Sequence, residues 1–345
     1  MIYTYSYLPI RSVAYGKDSI LKINDFIKEA GVSRALVVTS PSVSKTRFYA
    51  SVLRQVNVPF SEYRDMTQHS PKEKINKVVE MLKRTSADLI VSVGGGSVID
   101  SSKAAKHFSK KRELVHIAIP TTLSAAEFSH IAGYTQNNSK KGIREKYLTP
   151  QYVILDPTGP EETPEWLWRS TGIRALDHAV ETMISEKIGE IAITFSLIAI
   201  KKLFENLSGK SEQNFMECQL ASWYSYFDVY DASMGLSHRI GKAVGARYKI
   251  PHGITSCITL PAVMRYYARA KWRELSLISI NLRGQGKESV ETAMLSADMV
   301  EYFIKGLGFN NKLSDYGVTE EELPTIMTDL KDDNPEVRKL IRSLM

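Results

Sequence analysis

The chain has 345 residues, with 45 Lys and Arg against 38 Asp and Glu, a net charge of +7. Hydrophobic residues at 43% and charged residues at 24% exclude a disordered chain, and the length is ample for a buried core in two domains. No apolar run reaches the roughly 18 residues of a membrane-spanning helix, and basic clusters as short as Lys110-Lys111-Arg112, without interleaved aromatics, argue against a nucleic-acid partner. The N-terminus lacks the basic-then-apolar pattern of a secretory leader, and Cys218 and Cys257 are too few for a disulfide framework or a Cys-rich zinc site. These features predict a cytoplasmic protein with reduced thiols.

In chain order, Ser19–Ala30 reads as a helix and Ala35–Thr39 as a short buried strand. Pro71–Thr85 carries Ile75, Val78, Val79 and Leu82 at helical period, and Asp88–Val93 follows as a strand. Glycines come next, then a helix over Ser101–Lys106, with later strands at His116–Ile119 and Tyr152–Leu155. This alternation predicts a Rossmann-like α/β domain with a parallel sheet over residues 1–156. Three prolines and a glycine in Asp156–Pro164 predict a hinge, and residues 157–345 read as all-helical. Ile191–Phe204, Glu217–Ala232 and Val290–Gly306 are each helix-length, with Pro251 and Pro261 breaking the series. Two lobes with a cleft between them are the expected place for a small-molecule site.

Gly94-Gly95-Gly96-Ser97-Val98-Ile99-Asp100 joins a strand to a helix. Glycines let a backbone approach a diphosphate closely, and the free N–H groups of a helix start favour an anion. The run is neither the spaced dinucleotide fingerprint nor a P-loop. Pro120-Thr121-Thr122 ends the next strand and places hydroxyls at the C-terminal edge of the sheet, where such folds bind ligands. Ser40, at the end of the first strand, stands where a carboxylate would select NAD; a serine accepts NAD or NADP.

GGGSVIDSSKAAK, then IPTTLSAAEFSHIAGYT, VILDP, TGIRALDHAVE, GLSHRIGKAVGARYKIPHG and a C-terminal DDNPEVRKLI resemble the iron-dependent (group III) alcohol dehydrogenase superfamily. Within it the chain is most similar to the maleylacetate reductase-type branch. The resemblance implies a dehydroquinate synthase-like architecture, a Rossmann-like domain followed by an all-α domain. It also implies that Gly95, Gly96, Ser97 and Asp100 hold the diphosphate and nicotinamide ribose of NAD or NADP, that Thr121 and Thr122 lie along the cofactor, and that Ser124 lies near the nicotinamide. A homodimer follows from fold analogy alone.

The resemblance further implies a metal held by an Asp and a His four residues apart, a His on a later helix, and a His in a Pro-His-Gly turn. His178, His238 and His252 occupy three of these positions, but the fourth is Arg174. A guanidinium has no lone pair to offer and repels a cation. Asp177 and Glu181 are nearby acids, with Asp177 about 100° round the helix from His178 and Glu181 three residues beyond it, able to approach the same side; both read first as a solvated face or a salt bridge, with substitution for the missing ligand as the alternative. Lys242 stands where metal-dependent members carry a further His, and its spacing from His238 predicts that it lines the pocket as a proton donor. Maleylacetate reductase-type relatives carry Asn in the place of Arg174.

Arg174, Lys242 and the histidines are therefore expected to form a cationic pocket for an anionic substrate, with Arg174, His238 and Lys242 catalytic and no metal. The expected activity is NAD(P)-dependent hydride transfer to or from a small carbonyl or alcohol. The alternatives are an iron- or zinc-dependent alcohol dehydrogenase using His178, His238 and His252 with Asp177, Glu181 or water completing the shell, and a nucleotide-binding relative without turnover.

Overall fold

The computed structural model of the chain describes residues 5–137, 139–186, 188–227 and 235–345. The chain divides into two compact units. One runs through Trp168 and takes in Gly209–Gln219; the other comprises Arg169–Ser208 and the chain from Leu220 onward.

The first unit alternates strands and helices. Its strands are β1 (Ser12–Tyr15), β2 (Ala35–Thr39), β3 (Phe60–Tyr63), β4 (Leu89–Gly94), β5 (Val115–Pro120), the hairpin β6 (Ile131–Gln136) and β7 (Ser139–Arg144), and β8 (Tyr152–Leu155). Between them lie α1 (Ile23–Ala30), α2 (Arg47–Gln55), α3 (Lys72–Arg84) and α4 (Gly96–Ser109). Six strands pair in the order β1-β8-β5-β4-β2-β3, all parallel. β2, β4 and β8 are buried along their whole length, as parallel strands covered on both faces must be. Phe26 of α1 and Val52 of α2 pack with Val37, Val91 and Ile117 on one face. On the other, Ile75, Val78 and Leu82 of α3 and Ala104 of α4 pack with Leu36, Val38 and Ile90.

From β2 the chain moves outward to β3, whereas from β4 it moves the opposite way to β5. The C-terminal ends of the adjacent β2 and β4 therefore flank a topological switch point, the place where such sheets take a ligand.

The Pro-rich stretch expected to be a hinge is packed onto this unit instead. Thr163 Oγ1 donates to the Thr121 carbonyl at 2.9 Å, Glu162 accepts from the Phe48 N–H at 3.2 Å, and Gly159 lies flat against the Phe48 ring. The division between units accordingly falls at Trp168–Arg169, twelve residues beyond Asp156.

In the rest of the chain every regular element among the described residues is helical. These are α5 (Glu165–Met183), α6 (Glu190–Asn206), α7 (Glu212–Ser225), α8 (Leu236–Arg247), α9 (His252–Tyr267), α10 (Trp272–Arg283), α11 (Val290–Gly306), α12 (Leu323–Leu330) and α13 (Pro335–Ser343). The expected helix over Glu217–Ala232 starts earlier and ends at Ser225, and residues 228–234 lie outside the described residues. Pro261 does not break the series as expected, because α9 continues through it with the proline buried. Its missing N–H costs one intrahelical bond, to the Cys257 carbonyl.

α5 matters most for the chemistry. From Ala175 to Ile184 every residue is buried, so this stretch has no solvent face at all.

Candidate active site

In the first unit β4 ends at Gly94, whose φ of +147° only glycine adopts without strain. Gly95 precedes α4 as its N-cap, and no side chain caps the helix, so its first N–H groups are left for a ligand. A Cβ on Gly95 would lie 3.1 Å from Thr122 Cγ2, and one on Gly96 would lie 2.8 Å from Ser124 Oγ. The loop is thus a cradle that side chains would fill, and it fits a dinucleotide diphosphate. The helix begins five residues before the expected Ser101, within the glycine run itself.

The structure brings most of the expected cofactor residues to this edge. Ser40 follows β2, and its Oγ accepts from the Val43 N–H at 3.3 Å and lies 3.1 Å from Ser42 Oγ. Thr121 and Thr122 follow β5, with the Thr121 N–H donating to the Gly94 carbonyl at 3.1 Å. Thr122 Oγ1 is buried without a hydrogen-bond partner among the described residues. Ser97 Oγ accepts from the His69 N–H at 3.2 Å, and the Ser97 carbonyl accepts from Ser70 Oγ at 3.0 Å. His69 and Ser70 both have positive φ, 63° and 51°, a tight turn that buttresses the loop and that no sequence pattern announces.

Asp100, also on α4, has partners of its own. One oxygen meets the buried Lys103 ammonium at 2.9 Å and the other accepts from the Gly133 N–H at 3.1 Å. Lys103 also donates to the carbonyls of Ala126, Ser129 and Ile131. The pair clips α4 to β6, and each Asp100 oxygen takes one donor from the protein while the side chain stays partly exposed.

The second unit holds the other cluster. Because α5 is buried all round from Ala175 onward, Asp177 and Glu181 do not lie on the solvated face that was one expectation for them; the other, a salt bridge, holds for Asp177, which pairs with Arg174 in the interior. Asp177 is 0% exposed. Its Oδ2 accepts from Ser256 Oγ at 2.6 Å and Ser237 Oγ at 2.9 Å, and meets Arg174 Nη1 at 3.4 Å. Arg174 Nη1 also donates to Ser256 Oγ at 3.0 Å. Glu181 reaches the start of α8, where it accepts from the backbone N–H groups of Ser237 and His238 and meets His238 Nδ1. His178 stacks on His238 with ring centroids 4.9 Å apart.

Burial governs the protonation of this cluster. It pushes the Glu181 carboxyl up to about 7 and raises Asp177. Burial, seconded by the Arg174 charge, pushes His238 down to about 3; burial and the neighbouring His238 and Arg174 hold His178 well below the ordinary imidazole range. Both rings are therefore neutral at physiological pH.

The cationic ring expected from the sequence does not form. Lys242 is exposed. Four residues carry it about 40° past His238, off the buried sector of α8 and onto the outer one. Arg174 is answered by two buried acids.

The expected metal set is incomplete: Arg174 stands in the place of the carboxylate ligand, and the one group of three metal-capable side chains found among the described residues, with ligand atoms all within 4.8 Å, is Asp177, Glu181 and His238. In that trio Glu181 faces His238 Nδ1 and Asp177 Oδ2 already has three donors, while Asp177 Oδ1 is buried without a hydrogen-bond partner among the described residues. An ion there would sit beside the Arg174 guanidinium, whose charge opposes it.

Residues 11–157 match the family model of iron-containing alcohol dehydrogenase, and residues 169–337 match the C-terminal model of the Fe-containing alcohol dehydrogenase family. Dehydrogenase FUM7 of Gibberella moniliformis is 30% identical, with 87% of this chain and 85% of that one covered. A maleylacetate reductase of Pseudomonas aeruginosa is 27% identical, over 96% of this chain and 93% of that one. The solved maleylacetate reductase of a Rhizobium species has a TM-score of 0.87 at 24% identity, covering 100% of this chain and 98% of that one. At such identity the structural likeness carries the fold alone.

Proposed function

The chain belongs to the iron-containing alcohol dehydrogenase family and is an NAD(P)-dependent oxidoreductase, and from this premise we propose that it moves a hydride between nicotinamide and a small anionic carbonyl or alcohol without a catalytic metal. The observation that carries this reading is the part-buried guanidinium of Arg174 in the place of a metal-binding carboxylate. Ser256 and Asp177 hold it by Nη1 alone, so among the described residues Nη2 and Nε keep their protons for a ligand. Those donors suit a substrate carboxylate, or the carbonyl oxygen on which negative charge develops as the hydride arrives. Maleylacetate reductases among the relatives act on a substrate of that class. His238 is the second catalytic group in this proposal; Lys242, on the outer side of α8, has no part in it.

In the first unit the uncapped start of α4 and the glycine loop bind the diphosphate, while the Thr121 and Thr122 hydroxyls line the cofactor. When bound, the nicotinamide supplies or receives the hydride. Ser40 admits both NAD and NADP.

The test is oxidation of NADH and NADPH by exhaustively chelated protein, followed at the reduced-nicotinamide absorbance with parallel panels of keto acids and simple aldehydes. Turnover with keto acids that survives chelation is the expected result. Protein that purifies with near-stoichiometric iron or zinc, and loses turnover reversibly when it is removed, would establish a metal-dependent dehydrogenase instead. Tight cofactor binding without turnover on either panel would identify a nucleotide-binding relative.

A further inference from the structure

Resting on the hydride-transfer reading above, we infer that Glu181 is the positioning residue of this site: it holds the His238 imidazole with its proton on Nδ1 and its lone pair on Nε2. Glu181 belongs to α5, yet its carboxylate caps a different helix. α8 has no N-cap side chain of its own. Glu181 Oε1 accepts from the Ser237 N–H at 2.6 Å and the His238 N–H at 3.3 Å, supplying the bonds that the orphan donors of a helix start require. Gly235, which precedes α8, leaves room for this, since a Cβ there would overlap the carboxylate.

Above about pH 7, where Glu181 is ionised despite its burial, a carboxylate fixed in this way is an acceptor. The ring nitrogen against its other oxygen, His238 Nδ1, must therefore supply the proton between them. A neutral imidazole carries one N–H, so Nε2 is left as the acceptor. His178, stacked at 29° to the ring, keeps its plane.

The consequence for the reaction is specific. When an alcohol is oxidised, the hydride leaves the carbinol carbon for the nicotinamide and the hydroxyl proton passes to Nε2. In reduction the hydride arrives at the carbonyl carbon and that proton returns from Nε2 to the oxygen. The reversed tautomer would present an N–H to the hydroxyl and could not take its proton.

Glu181→Gln makes the inference sharp. The two backbone N–H groups keep the amide oxygen facing them, which turns the amide NH2 toward Nδ1 and moves the ring proton to Nε2. Long-range proton–nitrogen NMR of 15N-histidine protein should show His238 protonated on Nδ1 in the native chain and on Nε2 in Glu181→Gln. Alcohol oxidation should fall about a hundredfold in kcat, the scale of general base catalysis, with KM and cofactor affinity little changed. Gly235→Ala pushes the carboxylate away with every polar group intact, and should also lose the Nδ1–H signature.

A native spectrum with the proton on Nε2 would overturn the inference, as would a Glu181→Gln protein unchanged in tautomer and kcat. The NMR measurement needs no turnover. A chain inactive on every substrate therefore tells against the hydride-transfer reading while the placement of the ring proton is still decided.

Discussion

Lys106 has no exposed surface, and its Nζ finds no hydrogen-bond partner among the described residues. Burial pushes its ammonium down to about 8, against an ordinary value of 10.5. Because the native state releases this proton before the unfolded chain does, stability rises with pH between about 8 and 10.5, and the cost of burying the charge is fully present below 8. Lys106→Met fills the same volume without the charge. It should stabilise the protein at neutral pH by on the order of 2–3 kcal/mol, a gain that fades toward pH 10.5. Denaturant titrations at pH 7 and pH 10 read this directly, and equal gains at both would refute it.

Single residues are also where the sequence was least legible. Arg174 stood out because one substitution in a motif changes the chemistry. Asp177 and Glu181 gave a weaker signal, since a helical wheel predicts a polar side only when the helix has one, and α5 has none from Ala175 onward. Lys242 failed in the opposite sense: spacing from His238 fixed its angle to within about 40°, and the margin of the buried sector lay inside that error.

At the scale of elements, the glycine loop and α4 form one device. Gly94 turns the chain with positive φ, Gly95 and Gly96 clear the Thr122 and Ser124 side chains, and α4 presents its uncapped start. Gly95→Val adds branched carbons at a point where a Cβ alone would already press on Thr122 at 3.1 Å. The added methyls should exclude the diphosphate and weaken NAD(P) binding by at least about tenfold, or 1.4 kcal/mol, while the fold persists. Fluorescence titration of reduced cofactor into a variant with native circular dichroism checks this; unchanged affinity would remove the loop from the cofactor site. The strands that announced themselves, ALVVT and YVIL, are buried on both faces, so apolarity alone marks them. β3 (FSEY) and β7 (SKKGIR) stayed hidden because one lies at the sheet edge and the other is mostly exposed, which leaves neither a continuous apolar run.

At the scale of the whole molecule, the residues proposed for the cofactor lie in the α/β unit and the Arg174 cluster in the helical one. The net charge of +7 says little about the site, where one guanidinium is set against two buried carboxyl groups. Arg174→Asp would place a third carboxyl group among them with no cation nearby. The variant should lose about 3–5 kcal/mol as purified without metal, the usual cost of an uncompensated buried charge. Added zinc or iron should restore much of that loss by binding the native state alone. Thermal unfolding with and without the ion reads both effects, and a melting temperature indifferent to metal would show that charge balance is not what this cluster enforces.

The pairing of Arg174 with Asp177 also constrains how such a chain could have arisen. The two residues sit one helical turn apart inside α5, and each is the other's buried counter-ion. Acquiring either one first, in an ancestor that lacked both, strands a charge in the interior, so their substitutions are expected to be strongly non-additive. A double-mutant cycle of Arg174→Asn and Asp177→Asn reads this coupling, with the two mismatched chains expected to be the least stable of the four.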